Sequence, residues 1–402
     1  MVPVRVSLAA LITAVAGVTM SAGAVSAARA PSAAARVYAD IGQVSCPSSS
    51  ECFADGWYAP GGGGQRYRPL IEQFNGTRWR VSPAAVPAAR SSQLLGMSCV
   101  STTDCFAVGQ QTLHPLTGPV TLAERWNGKT WSIIPTPVPP TSLDSELNGV
   151  SCAPSGPCMA VGDFNFNTGA TSTTGFAELW NGTRWTEIPT AQPANASSLL
   201  LGVSCRIASD CTATGWWNPV NTSESFPLVN HWDGTRWRVV PSPHPASLND
   251  SVLSGVSCPA AGSCVAVGDF FTETPTTFLR DNLSELWNGT HWSRLPTPEP
   301  AGSSENQLGT VSCPAAGSCM AVGEDNSPAG PTVTLAEHWN GKTWSILPSP
   351  NPVNSGSELF GVSCRRLTLC VATGISGTSR GIVTLAEVWQ GGTWRIVPTP
   401  SP

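Results

Sequence analysis

Charge is scarce in this chain of 402 residues: Asp, Glu, Lys and Arg together make up 12% of it, about half the share found in an ordinary soluble domain. The formal net charge is -5, and Lys and Arg never form a run. No basic field is available to neutralise phosphates, so nucleic acid is excluded as an expected partner. Only five histidines occur, too few to furnish a metal site in each part of the chain, and the sequence calls for no metal and no cofactor. Beyond the N-terminus, no apolar stretch approaches the roughly 18 residues that a membrane helix requires.

Glycine and proline, at 39 and 36 residues, are plentiful. They point to turn-rich β structure with a polar, uncharged surface. The N-terminus has the pattern of a signal peptide, with Arg5, an apolar run over 7–20 and small residues after it. Cleavage fits Val25-Ser26-Ala27 or Ala28-Arg29-Ala30. The expected organisation is a signal peptide over 1–30, a flexible mature N-terminus over 31–36, and one folded body over 37–402. An uncleaved anchor is the alternative, against which the shortness of the run argues. The mature chain is expected outside the cell, secreted or at its surface, as a monomer.

Fourteen cysteines set a repeat. First members stand at Cys46, Cys99, Cys152, Cys205, Cys258, Cys313 and Cys364, and each is followed after five residues by Cys52, Cys105, Cys158, Cys211, Cys264, Cys319 or Cys370. None is left over. In an exported chain such spacing predicts one disulfide per unit, each closing a loop of about seven residues and contributing about 2.4 kcal/mol in the chain-entropy model. Zinc is the rival reading, but it prefers four ligands and each unit supplies two cysteines.

Each unit holds four short strand candidates, as at 308–313, 319–323, 334–339 and 343–348. The segment between the cysteines links the first two strands. An Asn-Gly turn such as Asn340-Gly341 links the last two. Small antiparallel sheets of this kind have two apolar faces that only neighbouring sheets can cover. The predicted fold is therefore all-β: a seven-bladed β-propeller of four-stranded antiparallel blades. Paired tryptophans flank the Asn-Gly turn, as Trp126 and Trp131 do, and 13 of the 16 belong to the repeat. They read as wedges between blades.

Over residues 37–402 the chain resembles secreted bacterial β-propeller repeat proteins, in the company of kelch and Asp-box propellers. The likeness rests on the period, the four-strand grammar and hairpin ends such as Gly128-Lys129-Thr130-Trp131 and Gly341-Lys342-Thr343-Trp344. An Asp-box has Asp two residues before that Gly, where this chain has Trp126 and Trp339. The resemblance therefore implies architecture and not activity. Sialidase chemistry, which Asp-box propellers bring to mind, needs a catalytic tyrosine and an arginine cluster. The three tyrosines, Tyr38, Tyr58 and Tyr67, all lie in or before the first unit.

A carboxylate recurs two residues before the third-strand tryptophan or its equivalent, as Glu72, Glu124, Glu178, Glu285, Glu337 and Glu387, with Asn230 in the fourth unit. A ring of equivalent acids reads as structural acceptors for tryptophan or backbone donors. Gly377-Thr378-Ser379-Arg380-Gly381 matches a nucleophile elbow by composition but links two predicted strands. Asp163-Phe164-Asn165-Phe166-Asn167 alternates oxygen ligands like a calcium loop, yet its Gly169 falls one place late. Asn-Gly-Thr at Asn75, Asn181 and Asn288 meets the glycosylation pattern, and the turn already accounts for it.

Function is expected on the rim whose loops vary from unit to unit. That rim carries Trp57, Tyr58, Phe164, Phe166, Trp216, Trp217, Phe270 and Phe271. Aromatic rings among Asn, Thr and Ser suit a glycan or a protein or peptide ligand, which makes the chain a non-catalytic binding module. In the other functional reading, Asp163, Asp269 and Glu324, each straight after the second strand, gather at the ring mouth as acid and base of a hydrolase or lyase. In the plainest reading the rings pack under their own loops.

Overall fold

The computed structural model describes residues 37–400 except 61–65, 115–116, 141, 155, 167–172, 221, 223, 245–249, 274–277, 304, 328–329 and 354. The expected signal peptide, the segment 31–36 and Gly169 lie outside the described residues. The chain is all-β, with 28 strands among the described residues.

The strands form repeated four-stranded antiparallel groups. One such group comprises Glu305–Ala315, Ser318–Asn326, Val333–Trp339 and Trp344–Leu347, each hydrogen-bonded to the next. Strands one and two run longer than the hydrophobic pattern alone suggested, because their polar ends remain paired. The groups are not all separate sheets, as the sequence had implied. Val37 and Tyr38 lie parallel to Gly381 and Ile382, and Arg280 lies parallel to Glu305, so two sheets are eight-stranded and mixed. In both cases the chain entering a first strand runs briefly beside the third strand of a neighbouring group.

All seven expected disulfides are present, each between the first and second strands of one group, with Cα atoms 3.9–4.1 Å apart. Free cysteines are absent among the described residues. The aromatic rings flanking each turn, Phe74 and Trp79 included, face each other 5.2–5.8 Å apart. The second ring of each pair is buried.

Every first strand carries a β-bulge between an apolar residue five positions before its cysteine and the next core residue. Leu200, Val203 and Cys205 therefore share one core despite the uneven spacing, as do Leu308, Val311 and Cys313. Opposite the bulge stands a second-strand glycine. A Cβ on Gly215 would collide with the carbonyl oxygen of Leu199, and Gly323 stands equally close to that of Gln307.

Each core is built from two adjacent groups. Phe106 and Val108 pack with Leu147, Ala160 and Phe176 of the next group, and Val371, Ala386 and Val388 of the last group pack with Ile41 and Val44 of the first. Burying one such large side chain contributes about 1.5–3 kcal/mol.

A second device links the groups. The serine before each first cysteine accepts a hydrogen bond from the backbone N–H of the following group's first cysteine. Ser45 serves Cys99, Ser98 serves Cys152, Ser151 serves Cys205 and Ser204 serves Cys258, at 2.9–3.0 Å. Ser257 serves Cys313, Ser312 serves Cys364, and Ser363 serves Cys46, so the series runs from the last group back to the first.

Candidate functional site

The first strands of successive groups touch one another, and that of the last group touches that of the first. Six residues before each first cysteine, just outside the bulge, the first strand pairs with the residue after the second-strand glycine. The seven pairs are Asp40–Trp57, Gln93–Gln110, Glu146–Asp163, Leu199–Trp216, Val252–Asp269, Gln307–Glu324 and Glu358–Ile375. Below this layer the repeat is nearly uniform. All seven side chains five residues before the cysteine are buried Leu or Ile, and all seven second-strand residues two after the cysteine are buried alanines. The same scaffold thus presents a different pair of side chains in every group.

Carboxylates from four successive groups meet in this layer. Arg280 holds Asp269 in a two-pronged ion pair, at 2.8 and 3.1 Å. Burial nevertheless raises Asp269 above the usual carboxylate range. Glu324 accepts a hydrogen bond from Gln307 Nε2 at 2.6 Å and feels both Arg280 and Asp269. Glu358 and Glu324 are hydrogen-bonded to each other, which requires a shared proton, and burial with the nearby Glu324 and Asp40 charges raises Glu358 to about 8. Asp40 is half-buried as a residue, and desolvation of its carboxylate raises it to about 7.

Behind Asp40 lies Asp55, which is 0% exposed. Its pKa stands well above the ordinary value, first through burial and then through Asp40. The main-chain amides of Asp55 and Gln43 face the carboxylate and offset part of this shift, but no donor sits on either oxygen in hydrogen-bond geometry.

Of the three carboxylates expected at the mouth, Asp269 and Glu324 come together. Asp163 lies apart with Glu146 and accepts a hydrogen bond from Asn148 at 3.0 Å. Asp40, Asp55, Glu358 and Arg280 were not singled out from the sequence. The bulge explains part of this. Strict alternation puts residues 40 and 358 on the face of the disulfide, and one inserted residue turns them to the other.

The eight rim aromatics divide by register. Tyr58, Phe164, Trp217 and Phe270 all stand six residues after their second cysteine. They share one packing position, although the sequence had suggested no repeated pattern. Phe164 and Phe270 are 7% and 5% exposed and belong to cores. Phe166 packs edge-on against Phe164, and Arg294 lies over Phe270. Trp217 stacks on Phe226 at 4.9 Å and flanks a cleft of about 180 Å³. In the last group Ser376 and Val383 occupy those places and the cleft opens to about 500 Å³. Phe271 is half-buried beneath Arg280. Trp57 and Trp216 instead stand in the inner layer, half-buried, with Trp57 edge-on to Tyr67.

The recurring third-strand glutamates are fully buried between groups. Their donors are mostly hydroxyls and amides of the preceding group rather than tryptophans. Ser349 donates to Glu387 at 2.7 Å, Asn282 to Glu337 at 2.9 Å, and the Ala85 backbone N–H to Glu124 at 2.8 Å. Desolvation raises Glu124, Glu285 and Glu337 to about 8, and Glu178, which lacks a donor and faces Glu187, to about 9. The Gly377–Gly381 segment joins two strands, as expected, and offers no helix to carry a nucleophile.

No protein-family model and no curated protein matches the chain by sequence. Among solved structures it is similar to an ulvan lyase of polysaccharide lyase family PL25 bound to -[GlcA(1-4)Rha3S]-. The TM-score is 0.58 and the identity 9%, over 90% of this chain and 96% of that one. A protein of unknown function from Dyadobacter fermentans gives 0.52 and 12%, over 78% and 96%. YCF48 bound to a D1 peptide gives 0.49 and 12%, over 90% and 93%. The lyase is a β-propeller protein. At these identities the likeness concerns the fold and leaves the activity open.

Proposed function

We propose that the chain is a secreted, non-catalytic binding module: a single seven-bladed β-propeller that takes a glycan or peptide ligand at the mouth of its ring. The seven four-strand groups are the blades, and the serine-to-cysteine hydrogen bonds running from Ser363 back to Cys46 support closure. Seven disulfides fit an oxidising compartment outside the cell, in keeping with export directed by residues 1–30.

One observation carries the functional reading: a near-uniform scaffold bears a different side-chain pair in each group, and does so in a single layer. Uniform layers serve packing, and a layer freed from that demand is where recognition is built. Trp57 and Trp216 supply ring faces there. Tyr58, Phe166, Trp217 and Phe271 border it, and Phe164 and Phe270 support it from the core.

The test is a glycan and peptide array probed with the mature protein and with a Trp57→Ala, Trp216→Ala variant. The proposal expects a ligand whose binding falls at least tenfold in the variant. An array without any binder, or a ligand held equally by both proteins, contradicts it.

The proton-sharing pair Glu324 and Glu358 favours a second reading, acid–base catalysis on a polysaccharide. Asp269, committed to Arg280, is poorly placed to serve as its base. A hydrolase or lyase activity abolished by Glu324→Gln would establish that reading.

A further inference from the structure

Two clefts at the same place in their groups differ in what fills them. Both lie between a proline twelve residues before the first cysteine, Pro193 or Pro352, and a proline after the fourth strand, Pro241 or Pro398. In the fourth group Trp217 and Phe226 are cross-strand partners, stack at 4.9 Å and leave a space of about 180 Å³. In the last group the equivalent partners are Ser376 and Val383, and about 500 Å³ stands open. That volume falls in the range of small-ligand sites, about 300–1,000 Å³. Tyr58, Phe164 and Phe270 put rings at the position of Trp217, and Gln111 and Asp325 put polar side chains there, so the serine is the smallest of the seven. Its small size leaves the surrounding apolar wall uncovered, and Val353 at the lip is 88% exposed.

We propose that the cleft of the last group binds the ring of a tryptophan side chain on a partner polypeptide, in the place that Trp217 fills in the fourth group. The lining decides the chemistry. Among the described residues it contains no charged side chain and no aromatic one. A charged ligand finds no counter-ion there, and a sugar finds no ring to stack on. The buried hydroxyls are engaged with one another: Ser376 is bonded to Ser355 and Ser357, each at 3.1 Å, and Thr384 donates to Thr399 at 2.7 Å. What remains is apolar, namely Val353, Val383, Leu385, Ile396 and the two prolines. A flat ring packs well on proline, the pairing by which aromatic grooves hold proline-rich peptides. Among rings, indole has its precedent in the molecule itself, since the same scaffold already receives one in the fourth group. This site is separate from the inner layer and does not depend on the reading given to that layer.

Saturation-transfer NMR of the mature protein with N-acetyl-tryptophanamide as the probe tests this, with N-acetyl-leucinamide as the comparison. The expected result is transfer to the indole protons that falls at least fivefold in a Ser376→Trp, Val383→Phe variant, whose own rings fill the cleft as they do in the fourth group. Thermal melting establishes that the variant folds. Should it fail to fold, Val353→Asp, at the exposed lip, decides by a loss of at least threefold. The Trp57→Ala, Trp216→Ala variant should keep the full signal, which separates this cleft from the mouth of the ring. No transfer to the indole probe, equal transfer to the leucine probe, or a signal that survives the filling of the cleft overturns the inference. A signal lost only with Trp57 and Trp216 overturns it as well and leaves the binding module standing.

Discussion

Glu178 shows what one residue contributes to the pH response. Folding buries its carboxyl without a donor and beside Glu187, raising it from the ordinary 4.5 to about 9. Between those values the folded chain holds a proton that the unfolded chain has released, so stability falls as pH rises through this window. The other buried third-strand glutamates, raised to about 7 or 8, act in the same sense. The melting temperature is expected to be highest near pH 5 and to decline towards pH 9. Glu178→Gln keeps the shape and removes the titration, so it should raise the melting temperature at pH 8 and flatten the slope. An unchanged slope in the variant would show that the residue is ionised or solvated in the folded state.

At the scale of the element, the first strand is the most informative piece. Its serine accepts a hydrogen bond from the next group and its cysteine closes the hairpin. Removing the serine acceptor leaves a partly buried N–H unpaired, which costs about 1 kcal/mol. Ser151→Ala and Ser363→Ala should therefore lower stability by similar amounts in denaturant unfolding. In an open array Ser363 would have no group to serve, and its replacement would have no effect. Replacing Cys152 and Cys158 together by serine should cost about 2.4 kcal/mol by the chain-entropy account.

Period, disulfides and turn aromatics were legible in the sequence because each recurs in all seven groups at nearly constant spacing. The inner layer was less so. Its residues differ by group, and the bulge that orients them is written only in the uneven Leu-x-x-Val-x-Cys spacing, visible at Leu253, Val256 and Cys258. The rim aromatics looked surplus when counted by type. Once aligned by register, Tyr58, Phe164, Trp217 and Phe270 proved to share one packing position.

For the whole molecule, stability and the proposed binding layer depend on the same feature. The core formed by the last and first groups exists only if the chain closes on itself, and the acidic arc runs through that junction, from Glu358 to Asp40. Deleting residues 364–402 exposes both faces of the junction and should abolish cooperative folding. A truncated chain that stays monomeric and melts cooperatively would indicate independent groups. The central claim, that ligands are taken at the inner layer, is tested most directly by photo-cross-linking a ligand found on the array and mapping the labelled peptides. Labels concentrated in Asp40–Trp57 and in the equivalent first-strand and second-strand segments are the predicted result. Labels confined to the outer hairpins around the Asn-Gly turns would contradict it.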